Sequence, residues 1–548
     1  IPSAMLRSGA NTVTLSTEDQ SGAGLLVASI GFLSLPEKKV GMQLSSHRVV
    51  RKGAHFTAAI QGSDEVNAVK SAELPSCYQL DGSQFLNGFL LLHLTALETG
   101  DGTGRIQLSN GEWTELFLPE VVESDPDTCL VGMDSDDHRH DLSDEADRVL
   151  EVFAMTGMGD FVQFRPSTGR THYHFAPQEV WEKRIAFLKQ MGIQIGIADT
   201  RSHLMEFVPE TAGDAYVGSH IHEPYLYFCL PLEKTKNKDV FMVNPQEVLS
   251  SESFGESERL YRDVLRRTYE KNATAAGLSS VGSPSLLCVY DASQQFDRAT
   301  LEPVSNINLL TAAGRGCTSK GSIWGAHVPV DWYFGSPNDG CKSRKFRLAL
   351  LYLYLSGAQY LYTENDVFKT NAFSREDWES EFCAVNRQYL RDFYDETIQK
   401  PRRGTLRVNK AVIYGRHEHF LWYHDDRMAE LKDVQDWDKK VWGKWEDDSY
   451  RRCWRALDAW LPAAEHQYAY EAPENLKLFS GTPYGNMDVI SWEGEYEVYD
   501  TLALLGWNTM CPQMLEKMMR FVKNGGTLFF SCCHLNQTDR NDRPAELL

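Results

Sequence analysis

The chain has 548 residues, of which 42% are apolar, and a formal net charge of −21 at pH 7. That length exceeds what one hydrophobic core supports, so several domains are expected. An acidic surface gains nothing from binding polyanions, which argues against a nucleic-acid partner or an anionic membrane surface. No stretch reaches about 18 uncharged apolar residues, so no membrane span is expected.

The 11 cysteines show neither CxxC pairs nor a regular spacing. Unpatterned thiols predict a reduced protein of the cytoplasm. The chain opens at Ile1 without a basic and apolar leader, so we expect either a removed signal or a fragment, and secretion stays open. No motif indicates a cofactor or a structural metal, and none is expected.

Residues 1–122 carry short alternating segments separated by Gly-, Asp- and Asn-containing turns, among them FTAAIQ, FLNGFLLLHLTAL and WTELFLP. This pattern predicts a β-sandwich. Packing against the next domain is the favoured role for it, ahead of carbohydrate binding. Residues 123–147 are rich in acidic residues and predict a solvated linker. The acids and histidines between Asp134 and Asp141 lack the Gly and terminal Glu of a calcium loop, so a cation site is the weaker interpretation.

Strand and helix patterns alternate over residues 148–403, where FDRATLEP, NINLLTAAGRG, SIWGAHVPVDWYFGSP, CKSRKFRLALLYLYLSG and AQYLYTEN follow one another. Alternation at this pace predicts parallel strands joined by crossover helices. The carboxyl ends of such strands meet at one rim, where sites are built from several strand ends. The final helix of the region is predicted to open at Ser374.

Three glutamates follow apolar segments: Glu364 after QYLYT, Glu302 after RATL and Glu223 in HIHEP. A carboxylate at the end of a buried strand must be paired, hydrogen-bonded or facing a cavity. The structural alternatives are salt bridges, for example of Glu364 with Lys369 and of Glu302 with Arg315.

Paired carboxylates across a cavity are what glycoside hydrolysis uses. One, held protonated, gives its proton to the leaving oxygen, while the other attacks the anomeric carbon or activates water. A separation of roughly 5–5.5 Å gives retention and roughly 6.5–9.5 Å gives inversion, and the sequence leaves this open. Trp324 and Trp332 could stack on a sugar, although a core position is the more usual one for such aromatics. The candidate substrate-binding residues are Asp199, His222, His327, Asp331, Trp332 and Asn365.

Residues 404–548 combine strand patterns such as NKAVIYGR, MDVISWE and TLFFSCCH with the helix pattern QMLEKMMRFVKNGG. Nearly continuous apolar runs predict an open parallel sheet of flavodoxin-like type. Cys532 and Cys533 lack the flanking glycines of a nucleophile elbow, so a structural or interface role is expected for this domain.

Together, FDRATLEP, WGAHVPVDWYFGSP and SGAQYLYTEN, followed by the second α/β unit, resemble the clan A glycoside hydrolases. The closest architecture is that of bacterial β-galactosidases whose barrel precedes an amidotransferase-like domain. The resemblance covers about residues 150–540. It implies a (β/α)8 barrel of TIM type, a carbohydrate substrate, retention through two glutamates and a homo-oligomer formed through the second domain.

In that clan the acid/base lies in an Asn-Glu-Pro-like motif at the fourth strand and the nucleophile glutamate at the seventh. His222-Glu223-Pro224 resembles that motif with His in place of Asn. The resemblance therefore implies Glu364 as the nucleophile, with the acid/base open between Glu302 and Glu223. Counted along the sequence, Glu223 and Glu364 are expected three strands apart, and Glu302 and Glu364 two.

Two other classes stay open. A catalytically inactive carbohydrate-binding protein would keep the cleft without the chemistry. A polysaccharide lyase acting on uronic acid would need positive charge in the cleft, for which Arg165 and Arg201 are candidates.

Overall fold

The computed structural model describes residues 39–44, 47–123, 129–135, 144–164, 176–197, 203–221, 279–281, 298–301, 307–318, 323–328, 342–363, 367–368, 380–400, 404, 406–414, 486–504 and 510–530. These ranges form packed antiparallel sheets, a closed parallel barrel and an open parallel sheet, in that order along the chain. The predicted fold class is confirmed. No helix within these ranges is both long and apolar enough to cross a membrane.

The N-terminal strands form two main antiparallel sheets, with orders β1-β3-β6-β5 and β4-β7-β8, while β2 and β9 pair in parallel. The bounds are β1 (Gln43–Leu44), β2 (Val49–Arg51), β3 (His55–Gln61), β4 (Val69–Glu73), β5 (Tyr78–Leu86), β6 (Phe89–Ala96), β7 (Thr103–Leu108), β8 (Trp113–Phe117) and β9 (Glu120–Val122). Asn87 and Gly88 join β5 to β6 with φ of 51° and 81°, the left-handed pair that a two-residue hairpin of matching twist requires.

Strand β6 is apolar on both faces because it lies between two cores. Leu90, Leu92 and Leu94 belong to the core shared by the two sheets of the sandwich. Phe89 and Leu91 face the other way and join the core of the barrel, where the ring of Phe89 lies 5.9 Å from that of Phe187. The sandwich therefore packs against the barrel through its four-stranded sheet.

Eight strands form the barrel, each parallel to its neighbours, and the eighth pairs back with the first. They are β10 (Leu130–Asp134), β11 (Phe161–Phe164), β12 (Gln194–Ile197), β13 (Tyr216–Ile221), β14 (Ser279–Val281), β15 (Arg298–Leu301), β16 (Ile323–Val328) and β17 (Tyr360–Thr363). The described helices of this region are α1 (Asp144–Thr156), α2 (Gln178–Gln190), α3 (Val208–Ala212), α4 (Ile307–Cys317), α5 (Lys342–Leu355) and α6 (Glu381–Asp392), which runs into a π-helical segment (Phe393–Gln399).

The barrel interior is filled by aromatic rings opposite glycines. Phe161, Tyr360 and Tyr362 form a separate buried cluster. A Cβ on Gly132 would lie 2.1 Å from the carbonyl oxygen of Phe161, and one on Gly325 would lie 2.2 Å from that of Tyr360. Real Cβ atoms do not approach that closely, so only glycine lets these strands pack beside such rings.

Two boundaries differ from the prediction. The linker assigned to residues 123–147 is wrong, because β10 lies within it as the first barrel strand and α1 begins at Asp144. The apolar run of β10 is short, and the acidic residues on either side of it dominate the composition from which the linker was predicted. The last barrel helix begins at Glu381 and not at Ser374, since Ser380 is extended and its hydroxyl accepts a hydrogen bond from the Cys383 N–H at 3.1 Å.

The C-terminal sheet is parallel throughout and has the order β19-β18-β20-β21. Its strands are β18 (Lys410–Tyr414), β19 (Asp488–Ser491), β20 (Thr501–Leu504) and β21 (Thr527–Phe530), and its described helix is α7 (Pro512–Lys523). In order of appearance this is 2-1-3-4, the order that begins a flavodoxin-like sheet.

This sheet is joined to the barrel through α4 and β19. Arg315 Nε lies 2.7 Å from Asp488 Oδ1, and the Tyr499 hydroxyl donates to the other carboxylate oxygen at 2.9 Å. A Cβ on Gly316 would lie 2.0 Å from the Val489 carbonyl oxygen. The helix and the strand therefore touch backbone to backbone, beside a satisfied buried ion pair.

A second polar junction lies where the sandwich meets the π-helical segment. Arg48 Nη2 lies 2.6 Å from Asp392 Oδ1, and its Nε lies 2.8 Å from Asp395 Oδ2. Nearby, Asp160 precedes β11 and accepts a hydrogen bond from the Val131 N–H at 2.8 Å. Burial raises the pKa of Asp160 to about 7, against hydrogen bonds that lower it. Burial also lowers the pKa of His47 to about 4.

Replacing Asp160 with Asn changes how stability depends on pH. The carboxyl titrates at 3.8 when unfolded and at about 7 when folded, so between these values only the unfolded wild type is ionised, and wild-type stability falls as pH rises. The Asp160→Asn variant has no carboxyl group to ionise at this position, so its stability does not fall in this way. Its stability relative to wild type should therefore rise by ~3 kcal/mol between pH 4 and pH 7, measured by urea unfolding. The exposed Asp214→Asn serves as the control. A difference between Asp160→Asn and wild type that is constant over this range contradicts the assignment.

Candidate active site at the carboxyl rim of the barrel

The closed barrel fixes which strands carry the predicted glutamates. Glu223 comes two residues after β13, Glu302 directly follows β15 and Glu364 directly follows β17, which are barrel strands four, six and eight. The two-strand spacing of Glu302 and Glu364 is confirmed for the strands that precede them. The three-strand spacing of Glu223 and Glu364 is wrong, because their strands are four apart. The count missed β14, a three-residue strand without an apolar run.

Most of the predicted site residues lie outside the described residues. Those are Glu223, Glu302, Glu364, Asp199, His222, Asp331, Trp332 and Asn365. The two arginines considered for a lyase, Arg165 and Arg201, lie outside them as well. Among the residues that the structure does describe, no group of three or more His, Cys, Asp or Glu could hold a metal ion.

His327 is the predicted site residue that the structure describes, and it lies on β16 near its carboxyl end. Its ring stacks on that of Tyr362 at 4.7 Å with an interplanar angle of 20°. Its Nε2 lies 3.6 Å from Asp134 Oδ2, and the two side chains are only 3% and 1% exposed. That separation is longer than a hydrogen bond, so the two side chains are buried polar neighbours.

Register explains how His327 and Asp134 meet. His327 on β16 pairs with Tyr362 on β17. Strand β10 pairs with the other edge of β17 and ends at Asp134. Asp134 in turn pairs with Gln163 on β11. A Cβ on Gly196 would lie 2.3 Å from Gln163 Oε1, so this glycine leaves room for the amide. We call Asp134, Gln163 and His327 the rim polar layer. It lies at the carboxyl end of the barrel, next to the aromatic rings of the interior.

Sequence reasoning missed Asp134 and Gln163 as site residues. Asp134 was assigned to a solvated loop, and this is wrong, because the residue is 4% exposed. The available signal was the run LVGM before the acid, which resembles YLYT before Glu364. Gln163 ends no apolar run, and only the strand pairing places it beside Asp134.

The described residues bear on two structural alternatives. Trp324 is 4% exposed and belongs to the core outside the barrel, with its ring 3.1 Å from where a Cβ of Gly314 would lie. It is not a sugar-stacking residue. Arg315, considered as a partner of Glu302, binds Asp488 and donates to the Met487 carbonyl oxygen at 2.9 Å, while Glu302 lies outside the described residues.

No family model and no curated protein matches the sequence. Solved structures similar to the chain include a catalytic mutant of a GH42 β-galactosidase from G. stearothermophilus, 13% identical over 73% of this chain and 71% of that one, with a TM-score of 0.42. A β-galactosidase from the haloarchaeon Halorubrum lacusprofundi is 10% identical over 76% and 74%, with a TM-score of 0.42. An α-L-fucosidase from Paenibacillus thiaminolyticus is 10% identical over 76% and 65%, with a TM-score of 0.41.

A double-mutant cycle measures the buried contact between Asp134 and His327. His327→Phe keeps the stacking on Tyr362 and replaces the imidazole nitrogen beside the carboxyl group with an apolar ring. Because that carboxyl group is buried, the loss of a polar neighbour should destabilise the protein by about 1–3 kcal/mol. Asp134→Asn should have a smaller effect, and the double variant should lose less than the sum, with a coupling of about 1 kcal/mol. Unfolding in urea gives the four free energies. Additive losses would show that the two side chains do not interact.

Proposed function

We propose that the protein is a glycoside hydrolase that cleaves a β-linked glycoside or oligosaccharide with two glutamates at the carboxyl rim. The observation that carries the proposal is that Glu302 and Glu364 directly follow strands six and eight of one closed parallel barrel. In such barrels catalytic groups stand at the carboxyl ends of several strands. The rim polar layer adds buried groups suited to bind hydroxyls.

Strand alternation supports the same pair. On β15, the Thr300 hydroxyl lies 2.6 Å from the Tyr360 hydroxyl of the barrel interior, while Leu301 packs in the outer core. Successive side chains of a strand point to opposite faces, so Thr300 faces the interior and Leu301 faces outward. We propose that Glu302, the next residue along the chain, continues this alternation. On β17, Tyr360 and Tyr362 are interior residues, and we extend the same proposal to Glu364. The pairing of β12 with β13 has a register shift between Ile195 and Gly196, and Glu223 comes two residues after β13, so the proposal does not extend the alternation to it.

In the proposed reaction the Glu364 carboxylate attacks the anomeric carbon, and the bond to the leaving oxygen breaks as the acid/base gives that oxygen its proton. The acid/base then takes a proton from water, which attacks the anomeric carbon and releases Glu364. Glu302 is the proposed acid/base and Glu223 the alternative. In the barrel, β15 lies two positions from β17 and β13 lies four, so the strand before Glu302 is the nearer of the two.

One observation favours the inactive carbohydrate-binding protein as the second candidate. Barrel strand seven, β16, ends in the rim polar layer with His327, and no glutamate occurs between Ile323 and Thr363. The clan that the sequence resembles places its nucleophile at this strand. Glu364 follows strand eight, so its role as nucleophile departs from that pattern.

The C-terminal sheet is proposed to be a non-catalytic, amidotransferase-like domain through which the chain forms a homo-oligomer. Helix α7 and the edge strand β21 support this, since both expose large apolar side chains. These are Leu515, Met519 and Val522 on the helix and Phe529 and Phe530 on the strand. Among the described strands β21 lies at the edge of the sheet, and an edge with exposed apolar residues is typical of a protein–protein contact.

A panel of aryl β- and α-glycosides tests the hydrolase. If one is cleaved, Glu364→Gln should lower kcat by roughly 10²–10⁴-fold or more, because the amide cannot attack. The variant that removes the acid/base, Glu302→Gln or Glu223→Gln, should show a comparable loss. Azide should separate the two roles by its product, an inverted glycosyl azide from the variant without the nucleophile and a retained one from the variant without the acid/base. The exposed Glu179→Gln on α2 is the matched control. Full activity in all three site variants contradicts the two-glutamate mechanism, and cleavage of no glycoside favours the binding protein.

A further inference from the structure

The three-stranded sheet of the sandwich has an outer face with no packing partner in the described part of the chain. Its inner face contributes Ile106, Leu108 and Leu116 to the sandwich core. The barrel packs on the other, four-stranded sheet through Phe89 and Leu91. The outer face of β4, β7 and β8 therefore lies on the side of the sandwich away from the barrel.

Two aromatic side chains project from this face at the edge of the sheet. Trp113 and Phe117 lie four residues apart on β8 and are 43% and 65% exposed. Side chains at that spacing share one face of a strand and stand about 13 Å apart. Both rings are large apolar surfaces left in water, and such a grouping marks a binding surface more often than a single exposed residue does.

Both aromatic residues are held in place by neighbours. The Arg105 guanidinium lies 4.7 Å from the centroid of the Trp113 ring, and its Nε is bonded to Glu73 at 2.6 Å. The backbone of Phe117 is hydrogen-bonded twice to the Gln43 side chain, its N–H donating at 2.7 Å and its carbonyl accepting at 3.0 Å. A surface held in this way loses little conformational entropy when a ligand binds.

The polar groups beside the rings are mostly uncharged. Gln107 pairs with Trp113 and Thr103 pairs with Phe117 across β7 and β8, and the Ser71 hydroxyl lies 3.4 Å from Gln107 Oε1. The charge of Arg105 is balanced by Glu73, and the neighbouring Glu115 leaves a negative excess. An anionic polymer is therefore disfavoured as a ligand of this face. The net charge of −21 disfavours it for the chain as a whole.

We propose that this face, the Trp113–Phe117 platform, binds a neutral polysaccharide chain at a site separate from the barrel. A pyranose ring presents an apolar C–H face that stacks on an aromatic ring and hydroxyls that bond to amide and hydroxyl groups. The two rings stand far enough apart to contact different sugar units of one extended chain. The platform would keep the protein on a polymer whether or not the barrel cleaves it.

A second copy of this chain is a less suitable occupant. Strand addition to the edge of β8 needs the free backbone groups of that strand. The Gln43 amide already occupies both backbone groups of Phe117, and the Thr114 hydroxyl bonds to the Gly41 carbonyl oxygen at 2.9 Å. These contacts with Gln43 and Gly41 prevent a strand of a second copy from pairing along the whole edge of β8.

Affinity electrophoresis of the full chain tests the platform, with gels containing soluble neutral β-glucans, β-galactans or β-xylans. Glu364→Gln is used as the parent, so that cleavage does not enter. At least one neutral polymer should retard the parent. Adding Trp113→Ala or Phe117→Ala should weaken its binding about tenfold each, a loss of ~1.4 kcal/mol. Trp113→Phe should keep part of the binding, and Phe85→Ala, an aromatic of the same domain that is 36% exposed on β5, should leave it unchanged.

The outcomes separate this proposal from the hydrolase. In the wild-type background, Trp113→Ala should hydrolyse aryl glycosides as wild type does, if these are cleaved at all. The platform proposal is overturned if no neutral polymer retards the parent, or if both alanine variants migrate like it. A change in oligomeric state with Trp113→Ala, seen by light scattering, would also overturn it in favour of a second copy on this face.

Discussion

The fit between aromatic rings and glycines inside the barrel is the constraint on which the rest of the structure depends. Phe161, Tyr360 and Tyr362 occupy the interior, and Gly132 and Gly325 are the residues beside which they fit. Were either glycine replaced, its Cβ would meet a backbone oxygen, and the strands could not keep their registers. Closure in turn decides which residues reach the rim, since Asp134 and His327 meet only because β17 pairs with both β10 and β16.

The flanking domains are built onto this barrel by contacts of different kinds. The sandwich joins it through an apolar sheet face and through ion pairs of the partly exposed Arg48 with Asp392 and with the buried Asp395. The C-terminal sheet joins it through close backbone packing at Gly316 and the Arg315–Asp488 pair. Removing one partner of such a buried pair leaves the other charge uncompensated, which is strongly destabilising. The polar contacts at these junctions therefore lie away from the carboxyl rim. The proposed chemistry takes place at that rim.

Apolar runs in the sequence were enough to predict the domain order and most barrel strands. IQIGI and YLYT are continuous apolar segments with clear ends, and they appear as β12 and β17. The same reasoning failed for β10, whose run is short and lies among acids, and for β14, which has no such run. Missing β14 made the count between Glu223 and Glu364 one strand too short. Missing β10 left Asp134 unrecognised as a site residue. The contact of Asp134 with His327 arises from barrel closure, and no local pattern encodes a contact between the first and seventh strands.

The most direct test of the central claim is covalent trapping of the nucleophile. The protein would be incubated with an activated 2-deoxy-2-fluoro β-glycoside of the sugar whose aryl glycoside it cleaves, and the labelled peptide would be identified by mass spectrometry. The account predicts one sugar per chain, attached to Glu364, because a retaining enzyme forms a glycosyl ester on its nucleophile. A label on Glu302 or Glu223, or an active enzyme that forms no adduct and releases product of inverted configuration, would contradict it.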